Sequence, residues 1–189
     1  MRNSADAQKR VILLMATLTL LVMPLVGWVI SLFSNEVLLW DRWVGDESIW
    51  TQVFFGVAAG VTAGFLARGV IALPFMEPVR KRYTDRFSDL DLNAFEIVFV
   101  SICAGAGEEL LFRGALQPLL GIVITSIVFV AIHGYLNPKD WRVSVYGLYM
   151  TLVIFGFGFL TEAIGIWSAV IAHTLVDIIL LADLGKEHE

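Results

Sequence analysis

The sequence predicts an all-α, polytopic membrane helix bundle with about six transmembrane passes and one short interfacial helix. Its 189 residues are 58% hydrophobic and only 16% charged, whereas about a quarter of the residues are charged in average soluble domains. The mean hydropathy is +0.77. Long uncharged runs recur, and no repeat, low-complexity tract or linker separates them, so we interpret residues 1–189 as a single membrane domain.

The first half of the chain contains two predicted passes. Residues 11–33 carry no charge, and a helix of that length at about 1.5 Å per residue crosses a hydrocarbon core of about 30 Å. Because this run has no signal-peptide cleavage pattern, we interpret it as a retained pass. Residues 50–75 form the second pass, in which Gly56, Gly60 and Gly64 are spaced four apart and predict close packing of another helix.

Residues 74–93 form the most polar stretch, which predicts a short helix in the headgroup region. Apolar residues recur there at helical spacing, and four basic residues are interleaved with them. This pattern is typical of a helix that lies on anionic lipid. Asn93 and Glu96 then match a capping box at the start of the next helix.

The second half predicts four further passes at residues 95–120, 122–134, 143–160 and 166–181. Gly121 is interpreted as the turn between the first two of these, which makes residues 122–134 a short return helix. The breaks between the other runs are short, so we expect consecutive helices to be antiparallel neighbours.

The placement of basic residues predicts the orientation. Ten of the thirteen Lys and Arg residues lie in the N-terminus, residues 77–94, residues 137–142 and the C-terminal tail, whereas the acidic loop at residues 36–47 contains only Arg42. The positive-inside pattern then predicts that both termini are cytoplasmic. The basic residues form no single stripe, so nucleic acid is not indicated as a partner.

Ionisable side chains inside the apolar runs are the candidate site residues. A charge at the bilayer centre costs about 2.5–3.5 kcal/mol on insertion scales, so such a group usually faces a protein-lined cavity. A single cysteine excludes an intramolecular disulfide and any multi-cysteine metal site. The candidates are Glu108, Glu109, Arg113, His133, His173 and Asp177.

Depth and helical spacing predict how these candidates meet. Glu108 lies 13 residues before Gly121 and His133 lies 12 after it, so the two are level on antiparallel helices, and His173 falls near the same depth. Glu109 and the arginine four residues later can form an intrahelical ion pair. Glu108 projects about 100° away from that pair and can face a cavity. A buried polar network that only holds the bundle together is the competing explanation.

These residue types are typical of amide hydrolysis within the membrane. A glutamate and a histidine around one water can activate it as a nucleophile, and desolvation brings a carboxylate towards the working range of a general base. A second imidazole can stabilise the oxyanion of a tetrahedral intermediate. The sequence contains neither Gly-x-Ser-x-Gly nor His-Glu-x-x-His, so a serine nucleophile is not indicated.

Three motifs together resemble the signatures of the CPBP (CAAX protease and bacteriocin-processing) family of intramembrane proteases, which includes the type II CAAX prenyl endopeptidases. The similarity covers about residues 95–181, which would form the catalytic core. Each motif alone is weak evidence for the family, but three motifs in the right order on three predicted passes are specific evidence for it. The motifs are Glu108-Glu109-x-x-x-Arg113, Phe129-x-x-x-His133 and His173-x-x-x-Asp177.

The resemblance implies a role for each residue. Glu108 would activate a water together with His133, His173 and Asp177 would support the oxyanion, and the other two residues of the first motif would support the site. The third motif often ends in asparagine, whose amide donates hydrogen bonds, whereas an ionised aspartate only accepts them. Asp177 could therefore orient His173, donate when protonated, or ligate a metal.

The predicted function is an intramembrane endopeptidase that cleaves a membrane-embedded or membrane-associated peptide or protein tail in a prokaryotic plasma membrane. No cofactor is expected, but Glu108, His133 and His173 include ligand types that suit zinc, so a zinc-dependent metalloprotease stays open. A proton or ion transporter also stays open, although the sequence lacks the inverted repeats that would support it, and so does a peptide-binding immunity scaffold. The sequence predicts neither the substrate nor the oligomeric state.

Overall fold

The computed structural model describes residues 2–34, 47–88, 90 and 92–184, and the regular elements in those ranges are helices. The all-α fold class is confirmed. A 3-10 turn at Pro74–Met76 precedes α3, and a π-helical turn at Phe112–Leu116 joins α4 to α5. The helices are α1 (Arg2–Phe33), α2 (Ile49–Ile71), α3 (Glu77–Ser88), α4 (Ala94–Leu111), α5 (Gln117–Ile132), α6 (Trp141–Ala163) and α7 (Ile166–Leu184).

Five segments of the described chain are long and apolar enough to cross a membrane, and the third of them, Ala94–Ile132, is folded back on itself. Gly121 has φ 76° and ψ 163° inside α5, outside the helical region, and a residue without Cβ adopts such angles readily. The predicted turn is therefore where it was expected. The return arm, residues 122–132, is about 16 Å long at 1.5 Å per residue, so it reaches about half-way through a hydrocarbon core.

The glycine ladder on α2 brings this helix against α7. A Cβ added to Gly56 would lie 2.7 Å from the carbonyl oxygen of Ser168, and one added to Gly60 would lie 2.6 Å from that of Ala172. Such contacts leave no room for a side chain, so the predicted close packing is confirmed. Because α7 contributes His173 and Asp177, the ladder fixes the depth of the third motif.

The start of α4 is fixed by the predicted capping box. The Asn93 side-chain oxygen accepts from the backbone N–H of Glu96 at 3.0 Å, and the Glu96 carboxylate accepts from the backbone N–H of Asn93 at 2.8 Å. Lys9 Nζ lies 2.7 Å from the same carboxylate and ties α1 to this end of α4. Gly107 packs against the backbone of Thr19 further along, so α1 covers the outer side of α4.

The polar stretch forms α3, which packs on protein as well as facing outward. Val79 is 3% exposed and lies in a core cluster with Met76 and Tyr146. Arg82 is exposed and pairs with Asp140 at 3.3 Å, which joins α3 to the loop before α6. The two basic segments therefore share one face, as the predicted orientation requires. Which face is cytoplasmic stays a prediction, because residues 35–46 and 185–189 lie outside the described residues.

Candidate active site

The chain reversal at Gly121 brings Glu108 and His133 together. Their side chains approach to 3.3 Å between Glu108 Oε2 and His133 Nε2, whereas a straight helix would separate residues 25 positions apart by about 37 Å. The contact was predicted from their equal distances from the turn. Both side chains are partly open, with 12% of Glu108 and 31% of His133 exposed. Glu108 Oε2 makes no hydrogen bond with proper geometry in the described part of the chain.

The His133 ring is oriented by its own helix. Its Nδ1 lies 2.6 Å from the Phe129 carbonyl oxygen. A carbonyl only accepts, so Nδ1 carries a proton and Nε2 is the ring nitrogen that faces Glu108. The ring stacks on Phe129 with centroids 4.6 Å apart and lies parallel to Tyr135 at 6.1 Å. These contacts hold Nε2 on the side of the cluster where the Glu108 and His133 side chains are partly exposed, which we call the open side.

Glu109 lies on the buried side of the cluster, which we call the closed side, and each of its carboxylate oxygens has a partner. Arg113 Nε donates to Glu109 Oε2 at 2.9 Å, and both side chains are fully buried. The predicted ion pair is confirmed. The other oxygen, Oε1, lies 2.9 Å from His173 Nδ1. Glu109 therefore links the arginine of the first motif to the histidine of the third, which the spacing within either motif did not predict.

Asp177 lies at the other nitrogen of the His173 ring. Its Oδ2 is 3.6 Å from Nε2, longer than a good hydrogen bond, and its side chain is 29% exposed. Sequence spacing favoured Asp177 as the residue that orients His173, but the closer carboxylate is Glu109, on a different helix. Glu109 reaches His173 from a fully buried position, whereas the Asp177 side chain is partly exposed.

Phe129 forms the platform between the two sides of the cluster. Its ring lies 4.6 Å from the His133 ring, 5.7 Å from the His173 ring and 4.8 Å from Phe112. The Arg113 guanidinium lies 5.7 Å from its centroid, within cation–π range. An apolar ring here fixes the spacing of two imidazoles without competing for their protons.

A cavity of about 290 Å³ adjoins the cluster at Asp177. Asp177 borders it, and Tyr135 and Tyr146 line its wall. Burial raises the pKa of the Tyr135 phenol well above its ordinary value, so this side chain stays neutral and able to donate. Arg68 and Asp183 also line the cavity, where Arg68 Nε lies 2.8 Å from Asp183 Oδ1.

Two residues near the six candidates were missed by the sequence analysis. Tyr135 lies two residues after His133 and lines the cavity. Gln117 lies four residues after Arg113, is 2% exposed, and contacts the guanidinium. The signal that could have found Gln117 is its helical spacing from Arg113, whereas nothing in the sequence pattern points to Tyr135.

Whether this site could hold zinc depends on which side chains are placed to ligate it. Within the ranges that the structure covers, no three His, Cys, Asp or Glu side chains are gathered in a way that could hold one metal ion. His173 Nδ1 lies 2.9 Å from Glu109, and Nε2 lies 3.6 Å from Asp177. In this arrangement the donors are not gathered around one zinc ion.

Apolar helices that bring three carboxylates, an arginine and two imidazoles into one partly buried cluster define a class: an integral membrane protein with an acid–base centre among its helices. Such groups inside a membrane are expensive and mark function by default. The chemistry that the centre can perform is proton transfer to and from a small polar species, with one open side and one closed side.

Residues 90–179 match the family model described as type II CAAX prenyl endopeptidase Rce1-like. The resemblance drawn from the three motifs is therefore confirmed over this part of the chain, and the family is one of CAAX-type intramembrane proteases. The match includes all six candidate residues.

A curated relative is the uncharacterized protein YpbD of Bacillus subtilis strain 168, which is 30% identical over 93 residues. The aligned region covers 49% of this chain and 47% of that protein, so the match spans about half the length of each. No solved structure matches this chain.

Proposed function

We propose that this protein is an intramembrane endopeptidase that hydrolyses a peptide bond of a membrane-associated peptide or protein tail. The observation that carries the proposal is the contact between Glu108 and His133, 3.3 Å apart across the chain reversal, within the region that matches the protease family. Both groups are partly open to the surroundings, as a base that must reach a water and a substrate has to be.

The nucleophile in this proposal is a water beside Glu108 and His133. With Nδ1 protonated, the neutral His133 ring and the Glu108 carboxylate both present acceptors to the same region. A water can donate one O–H to each of them. Proton loss to this pair as the water attacks the carbonyl carbon would then form the tetrahedral intermediate, and return of that proton to the amine would release the product.

His173 would stabilise the oxyanion. Its Nδ1 lies against Glu109, which leaves Nε2 directed towards Asp177 and the open side of the cluster. A protonated Nε2 can donate to a developing oxyanion in a site that excludes bulk water. Asp177 would keep that nitrogen directed at the cavity, and the Tyr135 phenol on the cavity wall would be a further donor.

The proposal is tested by cleavage in cells and with purified protein. Membrane-protein mass spectrometry of cells that express the wild type or Glu108→Gln should reveal tails whose removal depends on Glu108. Glu77→Gln, at an exposed glutamate of α3, is the matched control and should behave as the wild type. Peptides that span the identified junction should be cleaved by the purified wild type and not by Glu108→Gln. Absence of any Glu108-dependent product, or ion flux through the protein in liposomes without cleavage, would refute the endopeptidase.

A further inference from the structure

A chain of buried polar contacts extends from the closed side of the cluster, away from the cavity, and ends near the turn between α6 and α7. Arg113 is the first link. Its guanidinium donates through Nε to Glu109 and through Nη2 to the Ile154 carbonyl at 3.1 Å, and its Nη1 lies 3.5 Å from Gln117 Oε1. The π-helical turn at Phe112–Leu116 sets the relative direction of Arg113 and Gln117. Such turns often mark functional sites in helices.

Gln117 is the second link, and its amide has an unambiguous orientation. Its Nε2 donates to the Gly158 carbonyl at 3.1 Å and to Glu162 Oε1 at 3.1 Å, so its Oε1 faces Arg113. Only an amide offers an acceptor on one side and two donors on the other. Gly158 leaves room for this arrangement, because a Cβ there would lie 2.9 Å from Gln117 Oε1.

We infer that Gln117 is a positioning residue for the proposed peptidase reaction, with Glu162 fixing the direction of its amide. Gln117 sets the position of Arg113, Arg113 sets that of Glu109, and Glu109 sets that of the His173 ring. The inference rests on the proposed function for its kinetic consequence. The hydrogen-bonded chain and its effect on His173 can be measured without any activity.

Gln117→Glu tests the first link with little change of volume. It removes both donors, places a carboxylate beside Glu162, and offers Arg113 a second anion that competes with Glu109. Misplacement of groups that support a reacting residue typically costs about 10- to 100-fold, so we expect kcat to fall by that factor with KM little changed. Leu119→Ala, at a 46% exposed leucine of the same helix, should leave both constants unchanged.

A second substitution at Glu162 should reverse part of the loss. Glu162→Gln alone still accepts from Gln117, so it should stay within about threefold of the wild type. Combined with Gln117→Glu, it removes the pair of like charges and supplies an amide donor to the new carboxylate. The Gly158 carbonyl still lacks its donor and the new carboxylate still faces Arg113, so we expect the double variant to recover only part of kcat. A folded double variant with the kcat of Gln117→Glu alone would overturn the inference.

Nitrogen NMR of the histidine rings supplies a readout that does not need a substrate. The chain contains three histidines, and single substitutions of each assign their signals. In Gln117→Glu, the Nδ1 signal of His173 should shift while that of His133 stays, and in the double variant it should move part of the way back. An unchanged His173 signal in Gln117→Glu would overturn the inference, whatever the activity. If the wild type proves to cleave nothing, this comparison still decides the positioning role.

Gln117→Met covers the case in which the charged substitution does not fold. It keeps a similar volume, adds no charge, and removes the acceptor for Arg113 together with both donors. The His173 Nδ1 signal should shift in this variant as well, again without a change at His133. A His173 signal identical to that of the wild type would contradict the inference as clearly as it would in Gln117→Glu.

Discussion

The two adjacent glutamates of the first motif lie in opposite kinds of surroundings. Glu109 is fully buried, and its two oxygens contact Arg113 and His173 at 2.9 Å each. Glu108 is 12% exposed, faces a histidine that is 31% exposed, and has an oxygen with no hydrogen bond in the described chain. Each oxygen of Glu109 therefore has a buried partner, whereas Glu108 keeps an oxygen without a hydrogen bond beside a partly exposed histidine.

This difference shows how one helix can hold both a fixed group and a reactive group. A buried charge is tolerated only when it is paired and hydrogen-bonded, because desolvation otherwise costs several kcal/mol. A group that must exchange protons with a substrate cannot be saturated in that way. The 100° step between neighbouring helix positions separates the two environments. Two residues that are adjacent in sequence can therefore have different roles in the site.

The largest expected effect is on the open side. Glu108→Gln keeps the volume but removes the base, so we expect peptide cleavage to fall by about 10²- to 10⁴-fold, the usual contribution of general base catalysis. Folded yield and Tm should stay close to those of the wild type, since Glu108 Oε2 forms no hydrogen bond that the substitution would break. Kinetics with the purified protein and thermal unfolding in detergent measure the two quantities. Full activity in this variant would show that Glu108 is not the base, and it would contradict the different roles assigned to the two glutamates.

The next effect belongs to the closed side and is one of stability. Glu109→Gln leaves Arg113 as a buried charge without its carboxylate, and breaking such a pair typically costs about 3–5 kcal/mol. Denaturant titration in mixed micelles should show this loss of unfolding free energy, with activity reduced as His173 loses its acceptor.

The control for the closed side is removal of both charges. Glu109→Gln combined with Arg113→Met leaves no unpaired buried charge, so it should regain much of the lost unfolding free energy while activity stays low. Equal stability of Glu109→Gln and the wild type would show that the closed side is not held together by this pair.

A smaller effect is expected at Asp177, which lies between the two environments. It is 29% exposed and 3.6 Å from His173 Nε2. Asp177→Asn keeps an acceptor and adds a donor to the oxyanion region, so it should retain most of the activity. Asp177→Ala loses both and should fall by about 10- to 100-fold. The two variants are compared in one kinetic assay, and an alanine variant as active as the asparagine variant would remove Asp177 from the site.

The smallest expected effect is that of chelation, which should not change the rate. A metalloprotease would lose activity on exhaustive dialysis against a chelator and regain it with zinc. We expect the wild-type rate to be the same before and after dialysis, because no three potential ligands are gathered around one point in the described residues. Stoichiometric zinc in the purified protein, with activity that follows its removal and return, would replace the glutamate mechanism with a metal-dependent one.

The sequence predicts the features that depend on helical periodicity and on the number of residues between two positions. Gly121 as the reversal, the level placement of Glu108 and His133, the Glu109–Arg113 pair and the capping box at Asn93 all follow from helical geometry, and each has its contact in the structure. Packing of the glycine ladder on α2 follows in the same way, since small residues at a four-residue spacing form one face.

Contacts between particular side chains of helices far apart in sequence were not predicted by the same reasoning. The link from Glu109 to His173 joins residues 64 positions apart, and the link from Gln117 to Glu162 joins residues 45 apart. Spacing fixes which residues share a face of one helix, but the rotation of that helix against its neighbour depends on packing around the π-helical turn at Phe112–Leu116. For this reason Asp177 was favoured as the partner of His173 although a residue on another helix lies closer.

The return arm of α5 has a consequence for the lipid around the protein. Val123, Ile124 and Ile127 are exposed and apolar, but residues 122–132 are followed by non-helical backbone after only about 16 Å of helix. Acyl chains against this arm must therefore tilt or shorten, a local hydrophobic mismatch that thins the bilayer on one side of the protein. Polar backbone at that depth also requires water or protein contacts. A thinned, hydrated patch would bring the headgroup boundary close to Glu108 and His133 and make the fit of the protein sensitive to lipid chain length.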